Sequence, residues 1–125
     1  MRNELFSKNY SAEGAIPAYR IFKFGAADGG ILVGAAATDK LVGVTGRIAA
    51  AVAGDRVDGV RHGIGEVEYG GNVAAGDPLT SDAIGRAIVA APAAGSNVRV
   101  IGIAEVAGVL GDIGSLWIAP SVMQG

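Results

Sequence analysis

The chain has 125 residues, of which 21 are glycine and 23 alanine, with no cysteine, one histidine, seven aromatics and a formal charge of −2. That length suits one domain. Without cysteine there is no disulfide framework or cysteine-ligated zinc, His62 alone cannot make a multi-histidine metal site, and the slightly acidic balance argues against nucleic acid as a main partner.

Residues 1–18 differ from the rest. They hold four charged residues and the isolated aromatics Phe6 and Tyr10, without clear periodicity, and Ile16-Pro17 closes the stretch. Proline biases its predecessor toward extended geometry, so the segment reads as an extended N-terminal arm that needs a partner surface to become ordered. It has no continuous apolar run of signal-peptide type, which points to synthesis in a cytoplasm. The longest charge-free run, Ile113 to Gly125, is broken by Gly, Ser, Pro and Gln, so no membrane partner is expected.

From Tyr19 the chain repeats one form: a short run rich in Val, Ile and aromatics, then Gly, Asp, Asn or Pro. The expected strands are Tyr19–Phe24, Ile31–Gly34, Leu41–Thr45, Arg56–His62, Glu66–Tyr69, Pro78–Thr80, Arg86–Ala90, Val98–Val106 and Leu116–Ala119. Their spacing predicts an all-β sandwich or barrel in a single β domain, 19–125. Alternation in Glu66-Val67-Glu68-Tyr69 buries Val67 and Tyr69 and leaves both glutamates in solvent. Val60 and Ile64 fall on the other parity, which a bulge at Gly63 or Gly65 reconciles. Arg47–Ala53 is the one helical candidate, with one or two turns ending at Gly54. Ser81–Arg86 reads as a hairpin turn in which Asp82 bonds the backbone ahead and Gly85 takes positive φ.

A Gly-Asp pair precedes an apolar residue three times, at Gly54-Asp55, Gly76-Asp77 and Gly111-Asp112. Glycine permits a left-handed turn residue and aspartate caps the turn as the next strand begins. The unequal spacing makes this reused turn chemistry, not a solenoid repeat. A cation site built from Asp55, Asp77 and Asp112 is the functional alternative.

Catalytic equipment is sparse. His62 sits in a strand-like run, and Ser81, Ser96 and Ser115 lie outside any G-x-S-x-G elbow. Gly63-Ile64-Gly65-Glu66-Val67-Glu68 ends in Glu where a dinucleotide fingerprint needs a small residue, and GxxxxGK[ST] is absent. No cofactor is expected. Thr38-Asp39-Lys40-Leu41 vaguely resembles the lysine-presenting hairpin of lipoyl carrier domains, but alanines precede it where that family tends to place a glutamate.

From about Ala15 onward the chain resembles the capsid decoration, or cement, proteins of tailed bacteriophages. The likeness runs collinearly through Ile16-Pro17-Ala18-Tyr19-Arg20, Ala35–Val44, Ala53–Val57, Gly63–Val67, Gly71–Asp82, Gly85-Arg86-Ala87 and Val98–Glu105. It implies a β-tulip or jelly-roll-like protein without enzymatic activity, on the outer capsid surface of a virion. Such a protein bridges major capsid protein subunits as a homo-oligomer, a trimer being favoured over a dimer. The arm, through Leu5, Phe6, Tyr10, Ile16 and Pro17, is then the expected capsid contact. An adhesion or binding module of a tail or fibre is the alternative.

Overall fold

The computed structural model describes residues 3–47 and 49–125. Among the described residues nine strands carry the fold: β1 Asn3–Ala12, β2 Ile21–Phe24, β3 Gly30–Val33, β4 Leu41–Val44, β5 Arg56–Glu68, β6 Pro78–Ser81, β7 Ala87–Val89, β8 Asn97–Ala104 and β9 Ile113–Gln124. They lie in the order β1-β3-β2-β4-β5-β9-β8-β6-β7, and β1 also pairs with β5. That second pairing closes the first five strands into a barrel. The other four continue from the far edge of β5, and a parallel bridge from Tyr69 to Ala87 brings their outer edge back to the end of β5.

Each half has its own core. Tyr10, Ala12, Ile16, Phe22, Ile31, Val42, Ala50 and Val57 fill the closed barrel. Ile21, Val44, Val60, Val67, Tyr69, Leu79, Ile101, Leu116 and Ile118 are among those filling the second half. β4 is the wall between them: all four of its residues are buried, Val42 facing one core and Leu41 and Val44 the other. A dividing position requires apolar residues on both faces, and the β2–β4 register shift at Val42, between the Gly43 and Leu41 pairs, lets Val42 and Val44 face different cores although they are two residues apart.

The two strands expected at Arg56–His62 and Glu66–Tyr69 are one, β5, which lines both cores. Val60 and Val67 face the same core despite opposite parity. Gly63 between them has φ +94°, and the β1–β5 register shifts on both sides of Phe6, whose partner is His62. This is the bulge that the parity break demands.

Three expectations need correction. The arm is not separate from the domain: residues 3–12 form β1, and Tyr10 and Ile16 are 1% and 0% exposed. Main-chain pairing with β5 orders the segment, and burying its aromatic and aliphatic side chains removes their apolar surface from water. Arg47–Ala53 forms no helix among its described residues, Ile48 lying outside them; Ala50 bridges to Ile16 and a turn follows. Nucleating a helix over so few residues is unfavourable, and the Ile16 bridge takes up the backbone groups of Ala50. Glu68 is not freely solvated. Arg20 Nη1 donates to its carboxylate at 3.0 Å, and Arg86 Nη1 lies 3.9 Å away.

The Gly-Asp pairs all build one device. In Val52–Asp55, Ala74–Asp77 and Val109–Asp112 the aspartate N–H donates to the carbonyl three residues back, at 3.3, 3.1 and 3.0 Å. The glycines have φ of 94°, 91° and 91°, as the third position of a type II turn requires. Each aspartate carboxylate then accepts the N–H of the first turn residue, at 3.2, 2.9 and 3.0 Å. Two of these loops interlock: Val73 bridges Gly108, Gly76 N–H donates to Ala104 and Gly111 N–H donates to Tyr69. Asp82 accepts from the N–H groups of Ile84 and Arg86 in the β6–β7 turn, where Gly85 has φ +83°. Asp39 caps a further turn. Burial pushes its carboxyl up, but the Ala35 N–H, the Lys23 ammonium 3.2 Å away and the Ala36 N–H outweigh this and hold it below the usual range.

Tyr10 is the largest side chain of the barrel core, its ring centroid 5.4 Å from that of Phe22, and its buried hydroxyl has no partner among the described residues. An unsatisfied buried hydroxyl costs about 1–3 kcal/mol. Tyr10→Phe is therefore expected to raise stability by about 1 kcal/mol in urea unfolding. A loss of stability would show that the hydroxyl is satisfied in solution.

Candidate docking surface

The residues able to do chemistry are scattered or committed to turns. Asp55, Asp77 and Asp112 each cap their own loop. Among the described residues no group of three or more His, Asp or Glu is placed to hold a metal. Ser81 is buried and donates to the Asp82 carbonyl, Ser115 is buried, and His62 lies exposed on β5 opposite Phe6.

The expected arm residues divide into two sets. Tyr10 and Ile16 belong to the barrel core and present nothing outside, whereas Leu5 (69% exposed) and Phe6 (52%) stand on the surface and Pro17 is exposed beyond Ile16. Alternation with the buried Ala12 and Val57 row turns Tyr10 inward, while the start of β1 runs past the end of the core.

The most prominent outward feature comes from strand register. Asn3 of β1 stands opposite Ile64 of β5, Ile64 opposite Trp117 of β9, and Trp117 opposite Ile103 of β8. Residues directly opposite share a face, so these four side chains make one row across four strands. Trp117 is 47% exposed, while its neighbours Leu116 and Ile118 are buried at 0% and 1%. Beside the row lies a depression of about 280 Å³ lined by Asn3, Ile64, Glu105, Val106 and Ser115. Val106 belongs to the interlocked loop that also exposes Val109 (54%) and Leu110 (60%), and the exposed Ile113 (46%) opens β9 after it.

Nothing in the expected strand Leu116–Ala119 marked Trp117 as functional. The signal was present: buried-type residues on either side of a lone tryptophan give it the outward parity. A half-exposed tryptophan on a rigid sheet among aliphatic neighbours is suited to burial against another protein. Trp is enriched at the energetic centres of such interfaces, and its rigid ring loses little entropy on binding.

No protein-family model matches the chain, and no curated protein sequence matches it significantly. Among solved structures it is similar to the head fiber gp8.5 N base of bacteriophage phi29, at 21% identity and a TM-score of 0.66 over 91% of this chain and 93% of that one. The all-β barrel with added strands is thus an architecture with a solved counterpart of nearly equal extent.

Proposed function

We propose that this chain is a non-enzymatic structural protein of a tailed-phage head. It binds the outside of the shell as a homo-oligomer and bridges major capsid protein subunits. The observation that carries the reading is the outward apolar row centred on Trp117, in a chain whose Asp55, Asp77 and Asp112 carboxylates serve turns. The fold likeness to a phage head fiber base supports it, as does the resemblance to decoration proteins in the sequence.

In this reading Trp117, Ile64 and Ile103, with Leu5 and Phe6 at the margin, meet the capsid. Several copies of the face act together, so a modest single contact becomes a lattice clamp through avidity. The fiber-base likeness favours one second reading, in which the chain anchors an appendage on the shell instead of cementing it.

Mixing the protein with expanded shells that lack it and imaging by cryo-electron microscopy tests both. Regular outer density bridging neighbouring subunits is expected, and Trp117→Asp should weaken binding about 30-fold, the worth of roughly 2 kcal/mol at an interface centre. Isolated density on single subunits supports the anchor, and bare shells at micromolar protein refute both.

A further inference from the structure

The depression beside Trp117 has walls of two kinds. Ile64 and Val106 are aliphatic, while Asn3 and Ser115 bring an amide and a hydroxyl. Glu105 brings a negative charge, and no lysine, arginine or histidine stands among the described lining residues. Register fixes where that charge lies. Trp117 is opposite Ile103 and Leu116 opposite Ala104, so Glu105 comes level with Ser115, diagonal to the tryptophan. The Glu105 N–H donates to the Ser115 carbonyl at 2.9 Å, which carries the β8–β9 ladder to that point. On the other flank Glu66 is opposite Ser115 and again diagonal to Trp117. Diagonal neighbours are about 7–8 Å apart, within reach of long side chains. The half-exposed indole thus stands between two carboxylates. Among the described residues no ion pair engages Glu105, whereas Arg20 and Arg86 meet the charge of Glu68 further along β5.

We infer that this depression receives an arginine side chain of the shell subunit, which rests on the reading of the Trp117 row as the face that meets the shell. Charge and shape select that occupant. Aliphatic walls with a carboxylate at one side suit a side chain that has an apolar stem and a cationic head. A guanidinium stacks on an indole and offers a planar fork to a carboxylate, which a lysine ammonium does not. Its hydrogen bond to Glu105 is charge-assisted, and the amide of Asn3 supplies a further acceptor at the rim. An acidic side chain in the same place meets repulsion from Glu105 and Glu66. A neutral apolar one leaves the Glu105 carboxylate desolvated without a partner.

Trp117 is the chain's only tryptophan, so tryptophan fluorescence reports this site alone. Titration with acetyl-Leu-Arg-Leu-amide should change the emission saturably, with a dissociation constant on the order of 10 mM. The same peptide with citrulline, which keeps the shape and loses the charge, should bind roughly fivefold more weakly. Glu105→Gln should erase that preference at unchanged circular dichroism. Equal binding of the two peptides, no saturable change with either, or a preference that survives Glu105→Gln overturns the assignment. On expanded shells Glu105→Gln should weaken decoration about tenfold, and Glu105→Lys should weaken it further. Shells that bind both variants like the unmodified protein overturn the arginine and leave the docking reading intact. Shells that stay bare while the peptide preference holds overturn the docking reading and leave a cation-selective site with another partner.

Discussion

Replacing Tyr69 with alanine is expected to lower stability by about 3–5 kcal/mol, the range for losing a large buried aromatic. For a domain of this size that moves the melting temperature down on the order of 10–20 °C. Tyr69 is fully buried at the end of β5, where its N–H donates to Asp112 and its carbonyl accepts from Gly111. Its hydroxyl donates to the Val106 carbonyl at 2.7 Å. The ring lies where side chains at Gly108 and Gly114 would otherwise stand: a Cβ on Gly108 would come 2.6 Å from Tyr69 Cδ2, and one on Gly114 would collide with the phenol. Burial, with the Asp112 charge second, pushes the phenol's pKa up, so it remains a donor throughout the neutral range.

Alanine at this position leaves a cavity under the interlocked loops and an unpaired Val106 carbonyl. Tyr69→Phe keeps the ring and loses the hydrogen bond alone, so it should cost about 1 kcal/mol. Thermal and urea unfolding of the two variants separate the terms. Equal losses would mean that the hydroxyl, not the ring, holds the loops.

The second large effect is expected from Gly43→Ala, a change of one methyl group. Gly43 sits in the wall between the two cores, opposite Phe22 of β2. A Cβ there would run into the Val60 carbonyl oxygen of β5 and come 3.1 Å from Phe22 Cζ. Val44 with Val60 is the register pair that joins β4 to β5. Backbone on one side and a buried ring on the other leave the methyl nowhere to go. We expect a loss of about 3 kcal/mol or more, at the upper end for overpacking. Sedimentation and near-ultraviolet circular dichroism should show loosened packing. Gly71→Ala, where no atom lies within 4 Å of the added carbon, is the control expected to change little. Equal behaviour of the two would mean that β4 and β5 are not in close contact in solution.

Much of this architecture is legible in short stretches of chain. Eight strands overlap the stretches that alternation and turn residues mark, because period-2 burial and the need for positive φ at Gly54, Gly76 and Gly111 are local properties, although β9 runs well past Leu116–Ala119. The break in parity between Val60 and Val67 announces a bulge for the same reason. Asp82 and Gly85 likewise write their hairpin within a few residues.

Pairing is what short stretches do not contain. Asn3–Ala12 has no clear periodicity because it leaves one core half-way along, so its membership in the barrel depends on β5, more than forty residues away. Tyr10 and Ile16 resemble partner contacts in isolation; only closure of the barrel over Phe22 and Val57 turns them inward. Glu68 reads as solvated until Arg20, just before β2, and Arg86, just before β7, arrive beside it.

The docking row is the clearest case. Composition by itself determined that this chain lacks cysteine and has one histidine, and local pattern determined an all-β chain with Gly-Asp turns. Alternation even gave Trp117 an outward parity. But Asn3, Ile64, Trp117 and Ile103 are scattered over a hundred positions, and register alone sets them side by side. Register is the sum of main-chain hydrogen bonds between distant strands, and a slip of one residue would send every one of these side chains to the opposite face.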